Sequence, residues 1–355
     1  MDKSSLIPPV TILIEWENAI DVTDEWTAKA MKGLETELES YQGRLEAPPR
    51  VLYLYDKYRV DEQVIRNTVN RVTPKLPQLC QLEFIPTPGL TYYKLKNHGA
   101  SLTKTEFVVM LDSDAAPQPG WLPNLLAPFA DPEVMAVGGF TVLGYNDLLS
   151  RVFALIWIFH LRGDREVTLK RHKINANNCA FRTSFFQANP WPDLPAFKKQ
   201  CGFWLRDIER RGIRWVRTAD AMTVHAPHPG YAFVLWRAWT AGSDRDYQAF
   251  EKVGNSHLRR LGFATWFWLK RCARSTQRIV FRGHEVELPV WQIPAALLIA
   301  YGYWTTLFVN EVITALTKTY EPLEEVMRPK ARTAGIESQA PAVADTAAGH
   351  AVGRP

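Results

Sequence analysis

Phe107-Val108-Val109-Met110-Leu111-Asp112-Ser113-Asp114 is a run of apolar residues, several of them β-formers, that stops at two carboxylates one residue apart. The pattern predicts a buried parallel strand that delivers an Asp-x-Asp pair to its C-terminal end. In open α/β sheets, ligands sit outside the carboxyl ends of the strands. Two carboxylates there form a seat for a hard divalent cation, Mg2+ or Mn2+, that also holds phosphate oxygens. A strand followed by an Asp-rich turn gives the same letters, so the surroundings decide.

Working outward, apolar runs alternate with segments of helical periodicity. Val10 to Ile14 predicts a first strand, ending in Glu15-Trp16-Glu17-Asn18. Residues 24–41 predict a helix with Trp26, Ala30, Leu34, Leu38 and Tyr41 on one face. Val51 to Tyr55 predicts a second strand ending at Asp56, and Leu79 to Ile85 a third. Residues 61–72 and 91–104 fill the intervals as helices. Such alternation predicts a mostly parallel sheet flanked by helices, with right-handed crossovers. Val134 to Leu143, Ile213 to Val216 and Met222 to His225 are later strands. Residues 147–161 form an apolar helix, and 198–211 a helix that Gly212 can end. Residues 230–275 read as largely helical, and 278–288 as a small hairpin.

Five segments stand in a suggestive order: Tyr93-Lys94-Leu95-Lys96-Asn97-His98-Gly99-Ala100, the Asp-x-Asp strand with Pro119-Gly120-Trp121-Leu122 after it, Val137-Gly138-Gly139, Asn177-Asn178-Cys179-Ala180-Phe181-Arg182, and Val224-His225. This order resembles the family-two glycosyltransferases of the GT-A fold over roughly residues 8–230. The resemblance implies a metal-dependent, inverting transfer of a sugar from a nucleotide sugar to a hydroxyl. It implies Asp114 as a direct metal ligand, with Asp112 nearer the ribose or reaching the metal through water. Asp56 matches the family's base-contacting Asp and favours a UDP-sugar; a turn or helix-cap Asp is the plainer reading. Asn18 matches a family position, whereas Glu15 and Glu17 depart from it. Lys96 and Asn97 match the Arg-Asn pair that neighbours the nucleotide. Asn177 and Asn178 are amides that could hold sugar hydroxyls or simply bond their own backbone. His225, at a strand end, could approach the metal or diphosphate, or be a satisfied structural residue.

One departure bears on mechanism. The family places a Glu-Asp pair, with the Asp as general base, near the start of the helix that ends at the Gly-containing turn. Here those positions are Gln200 and Cys201. Inverting transfer to an alcohol normally uses such a base. Asp193, and after it Asp207, are the nearest carboxylates in sequence. The alternative is a non-catalytic relative that binds a nucleotide sugar or a partner enzyme. A nucleotidyltransferase is disfavoured because no Gly-rich, Lys-bearing loop follows the first strand. A processive synthase is disfavoured because Arg214-Trp215 lacks the preceding Gln of the Gln-x-x-Arg-Trp motif.

The 355 residues, 46% of them hydrophobic, suffice for one or two domains. The net charge of +5 is mild, but Arg259, Arg260, Lys270, Arg271, Arg274, Arg278 and Arg282 crowd one region. No nucleic-acid module surrounds them, and nucleic-acid binding is not expected. Leu288 to Asn310 carries no formal charge, holds aromatic residues and follows that basic cluster, as a membrane span or inserted helix would. The four cysteines form no metal or disulfide pattern, and the N-terminus lacks the form of a signal peptide. The expected organisation is a GT-A-like domain over 1–230, a helical and hairpin extension over 231–288, a membrane-associated helix over 289–317 and a disordered tail over 329–355. The expected location is the cytoplasmic face of the cell membrane, single-span or peripheral. The expected acceptor is lipid-linked or a polysaccharide or other glycoconjugate.

Overall fold

The computed structural model describes residues 6–165, 173–195 and 198–320; the expected tail lies outside them. The chain runs β1 (Val10–Glu15), α1 (Glu17–Asp21), α2 (Asp24–Ser40), β2 (Arg50–Tyr55), α3 (Glu62–Val72), α4 (Leu76–Leu79), β3 (Gln81–Pro86), α5 (Tyr92–Ser101) and β4 (Phe107–Asp112). It continues through β5 (Ala115–Pro117), α6 (Trp121–Leu126), β6 (Ala136–Leu143), α7 (Leu148–Ile156), β7 (Asn178–Arg182), α8 (Thr183–Ala188), α9 (Gln200–Arg210) and β8 (Trp215–His225). Three long helices follow: α10 (Tyr231–Val253), α11 (His257–Arg282) and α12 (Ile293–Thr317).

Among the described residues the strands form one sheet in the order β3-β2-β1-β4-β7-β6-β8-β5. It is mixed. The half β3-β2-β1-β4 is parallel, as the alternation of strands and helices predicts. Beyond it β7 enters antiparallel between β4 and β6, while β8 runs parallel to β6 and antiparallel to β5. Period-two alternation sorts the central strands onto two faces. Ile12, Ile14, Val109 and Leu111 pack with Met31, Leu34 and Leu38 of α2. Leu13, Val108 and Met110 face Tyr93 and Leu95 of α5, Trp191 and Trp204. Both faces are covered, which is why β4 is apolar without interruption until its last residue and β1 nearly so, with a single buried threonine, Thr11.

The late strands differ from the sequence reading in detail. The two expected short strands are one, β8, with an irregularity where its pairing steps past Gly139. The apolar helix expected to reach residue 161 stops at Ile156, because the chain turns back and His160 bridges to Val142 beside the sheet. Gly212 adopts φ +69° just past α9, a conformation that disfavours residues with a Cβ.

No hairpin forms over 278–288. Helix α11 runs through Arg282 and passes into a 3-10 turn at Gly283–Val286. Ser275, Arg278 and Ile279 are buried at helical spacing, so helical burial, not β-branching, decides this stretch. The three long helices share one core with α7, through Phe153, Val234, Ala238, Ile279, Ala300, Tyr303 and Leu307. The expected extension and membrane helix thus pack as one helical layer. At Gly242 of α10 a Cβ would lie 2.6 Å from the Leu307 carbonyl oxygen of α12, so only glycine allows that close crossing. Arg260 and Asp246, both fully buried, pair across α10 and α11.

Candidate active site

Parallel register sets the site. Glu15, the last residue of β1, stands opposite Asp112, the last of β4. Past Asp112 the chain turns into β5, whose Ala115 pairs with His225 of β8, and the Ala226 N–H donates to the Asp114 carbonyl at 2.8 Å. Thus Asp114 and His225, far apart in sequence, become neighbours at the sheet's carboxyl edge.

Asp112 is held on all sides. Lys96, one helical turn beyond Tyr92 on α5, donates to its Oδ1. The Tyr92 hydroxyl reaches Oδ1 at 2.8 Å and Oδ2 at 2.9 Å, and the Asn18 amide donates to Oδ2 at 3.0 Å. Lys96 is fully buried and also donates to the Ala176 carbonyl at 2.9 Å. Burial alone would raise the Asp112 pKa, but the Lys96 ammonium and its hydrogen bond outweigh it and hold the carboxyl below its ordinary value. Burial, joined by the Asp112 and Glu15 carboxylates, pushes the Tyr92 phenol well up, so it stays a donor.

Asp114 lacks such support. Its Oδ2 is 3.3 Å from His225 Nε2, and its buried Oδ1 has no hydrogen-bond partner. Burial, with help from Asp112, raises its pKa against the opposing pull of His225. His225 Nδ1 sits 2.8 Å from the Ala226 carbonyl, so Nδ1 carries the hydrogen and Nε2 is turned toward Asp114. Ligand atoms of Asp112, Asp114 and His225 lie within 4.8 Å of one another. Two carboxylates and an imidazole are a hard oxygen and nitrogen donor set, fit for Mn2+ or Mg2+. The orphaned carboxylate oxygens of Asp114 and Glu15, at neighbouring strand ends, are consistent with that assignment.

Glu15, which the sequence reading set aside as a departure, belongs here. It is fully buried, and its Oε2 accepts from the Asn18 N–H at 3.1 Å. Burial and then Asp112 raise its pKa well above the carboxylate range. The signal was its position: one strand end beside another. Tyr92 was also missed, although it precedes Lys96 by the four residues that put both on one helix face. Lys198, ahead of α9, lies with its ammonium 3.5 Å from the Tyr92 ring centre. Desolvation and the Arg237 guanidinium pull its pKa down to about 8.

The other expected site residues scatter. Asn177 is brought beside Asp112: its carbonyl accepts the Asp112 N–H at 3.4 Å and its Oδ1 the Thr141 hydroxyl at 3.4 Å. Asp56 ends β2 at the same sheet edge, half-exposed, with Oδ1 accepting the Tyr58 N–H at 2.9 Å. Asn97 clamps Trp191, donating to its carbonyl at 2.8 Å and accepting its N–H at 3.0 Å. Asp193 is 71% exposed and paired with Lys94 of α5 at 2.9 Å. Asp207 pairs with Arg211 along α9 at 3.0 Å.

Asn178 is engaged by the sheet itself. Its Oδ1 accepts from Trp121 Nε1 at 2.9 Å, and its Nδ2 donates to Ala221 at 3.0 Å, Thr223 at 3.2 Å and Phe140 at 3.3 Å. Gly139 makes the room: a Cβ there would stand 2.4 Å from Asn178 Oδ1. Asn178→Ala strands several of these buried partners and is expected to lower stability by about 2–4 kcal/mol. Urea unfolding measures this, and nucleotide binding by the folded fraction is expected to stay unchanged.

Residues 63–189 match the family model described as glycosyl transferase family 2. No curated protein matches the chain. Among solved structures, a mannosyltransferase from Pyrobaculum calidifontis, in complex with GDP-Man and Mn2+, matches with a TM-score of 0.52 at 17% identity, over 88% of this chain and 90% of its own. At that identity the likeness speaks for the fold, while the matched family segment contains Lys96, Asp112, Asp114 and Asn177. Taken with the sheet order and the carboxylates at its edge, these findings give the chain a segment of glycosyl transferase family 2 character over residues 63–189, set in a GT-A fold.

Proposed function

We propose that the chain transfers a sugar from a nucleotide sugar, by a metal-dependent inverting reaction, to a hydroxyl of a lipid-linked, polysaccharide or glycoconjugate acceptor at the cytoplasmic face of a membrane. The observation that carries the donor half is Asp114, whose unpartnered buried oxygen and His225 neighbour stand beside a fully braced Asp112. Departure of the nucleoside diphosphate builds negative charge on its outer phosphate. A divalent cation held by Asp114 and His225, with Asp112 beside it, would supply Lewis-acid stabilisation of that charge. Lys96, Tyr92 and Asn18 fix Asp112 so that it does not reorganise as charge moves. Lys198 adds a cation next to the same carboxylates. The GDP-Man bound by the P. calidifontis protein and the UDP preference implied by Asp56 put both nucleotides among the candidate donors.

For the membrane, Val290–Thr317 is a helical stretch long and apolar enough to cross. Val290, Trp291, Leu298, Val309, Ile313 and Leu316 are exposed along it, leaving an apolar surface that lipid would cover.

For the base, Asp193 is favoured over Asp207. Asp193 stands in the loop ahead of α9, tied among the described residues only to Lys94 of α5, whereas Asp207 is bound one turn along its own helix. Asp193→Asn is expected to lower kcat by about 100-fold, the low end for a general base, with donor KM unchanged. Asp207→Asn is expected to stay within about twofold, since exposed helix ion pairs contribute little. Steady-state kinetics separate the two.

Gln200 and Cys201 at the start of α9 favour a second reading, a non-catalytic binder of nucleotide sugar. Incubation with UDP-, GDP-, TDP- and CDP-sugars, Mn2+ and a membrane lipid extract decides between them. Metal-dependent release of one nucleoside diphosphate supports transfer. Tight donor binding with no release from any donor supports the binder.

A further inference from the structure

Helices α10 and α11 enclose a cavity of about 280 Å3 whose lining is cationic. Arg245 and Lys252 come from α10, and Lys270, Arg271 and Arg274 from α11; among the described residues no carboxylate lines it. The α11 contributors recur at helical spacing with Phe263, Trp266 and Phe267, so one face of one helix supplies both charge and aromatic wall.

Arg245 is the telling residue. It is only 8% exposed, yet its Nε and Nη2 have no hydrogen-bond partner. Its Nη1 donates to Gln248 at 2.6 Å, and its guanidinium lies 3.5 Å from the Phe267 ring centre. The nearby acid, Glu311 of α12, is buried too, and neither of its oxygens accepts a hydrogen bond. Stacking and one amide therefore position a guanidinium that lines the cavity, with two of its buried donors left without a partner. Buried donors without partners are costly, and a planar fork of N–H groups matches phosphate oxygens. Desolvation and then Arg245 and Arg274 pull the Arg271 pKa down to about 10, a sign of like charges crowded together.

The cluster also reaches the transfer domain. Desolvation and then Arg245 lower the Lys199 pKa to about 7, and Asp244 of α10 accepts the Lys198 N–H at 3.0 Å. An anion in the cavity would thus sit behind the start of α9, the region where the acceptor is expected. The volume is several times the ~30 Å3 share of one water, enough for a phosphate with attached atoms.

We propose that the cavity between α10 and α11 is a binding site for a phosphate ester, gripped by Arg245 and Arg271 and stacked against Phe267 and Trp266. It is a second anion site, separate from the Asp114 centre, and does not rest on the donor reading. The phosphate belongs either to a lipid headgroup or to a soluble ester. Trp266, 63% exposed, and Leu269, 50% exposed, flank the site with apolar surface, as a lipid-borne phosphate would require.

The test uses the full chain. Inorganic phosphate is titrated by calorimetry, and vesicles of phosphatidylcholine with and without phosphatidic acid are floated with the protein. Arg245→Gln is expected to weaken phosphate at least tenfold, and the exposed pair K252Q/K270Q several-fold, while Asp114→Ala binds phosphate as the unaltered chain does. Capture by phosphatidic acid vesicles, lost in K252Q/K270Q, identifies a lipid headgroup; phosphate binding without vesicle capture identifies a soluble ester. If Arg245→Gln does not fold, K252Q/K270Q carries the test. The proposal is overturned by folded protein that binds no phosphate, or whose phosphate and vesicle binding is indifferent to K252Q/K270Q, or whose phosphate binding is lost in Asp114→Ala.

Discussion

Asp114→Ala is expected to abolish metal-dependent nucleotide binding and to lower the transfer rate by at least about 100-fold, the upper end for loss of a supporting residue around a metal. Unlike Asp112, which accepts from the Lys96 ammonium, it has only the His225 imidazole beside it, at 3.3 Å. Its Oδ1 is buried with no partner, so the substitution removes a feature that does nothing for the fold. Because burial and Asp112 raise its pKa, the aspartate resists ionisation in the metal-free chain. Its folded pKa lies above the unfolded one, so the buried carboxyl lowers stability as pH rises through that interval. Asp114→Ala is therefore expected to be at least as stable as the unaltered chain near neutral pH without metal. Thermal unfolding together with nucleotide titration shows whether loss of function comes without loss of fold.

Lys96→Met is the second large effect, and its character differs. Lys96 and Asp112 are both buried, and the ammonium holds Asp112 and the Ala176 carbonyl together. Removing the cation leaves an uncompensated buried carboxylate, which costs about 3–5 kcal/mol. The sign of the pH effect follows. The folded Asp112 pKa is depressed, so its contribution to stability is present above the unfolded value and lost as pH falls through the folded one. In Lys96→Met that contribution goes, and the variant is expected to lose stability chiefly near neutral pH and little in acid. Removing both partners, as in K96M/D112L, is expected to cost less than Lys96→Met alone, because no stranded charge remains. Urea unfolding of the two variants at about pH 3 and at pH 7 measures the difference.

The parallel half of the sheet was legible because β1, β2 and β4 are buried on both faces and read as largely apolar runs that end in, or are followed by, a carboxylate: Glu15, Asp56 and Asp112. The Asp-x-Asp pair was legible for the same reason: charge after such a run falls at the sheet edge. The Asp114–His225 contact was anticipated only through the order of motifs, since strand patterning alone does not reveal the antiparallel β5/β8 pairing that brings these distant positions together. Glu15 looked like a departure in the line of residues and becomes a site residue only through its register with Asp112. Asn178 looked like a sugar-binding amide, yet the bare Gly139 beside it shows that its space is structural. Ile279-Val280 suggested a strand, but burial on one helix face outweighed β-branching.

Binding of UDP, GDP, TDP and CDP to the purified chain, with Mn2+ and with EDTA, tests the metal-dependent donor site most directly, because it needs no knowledge of the acceptor. The account predicts that one diphosphate binds with Mn2+, that EDTA removes the binding, and that Asp114→Ala lacks it. Folded protein that binds none of them, or binds equally well in EDTA, would contradict the assignment of Asp112, Asp114 and His225 as the donor's metal seat.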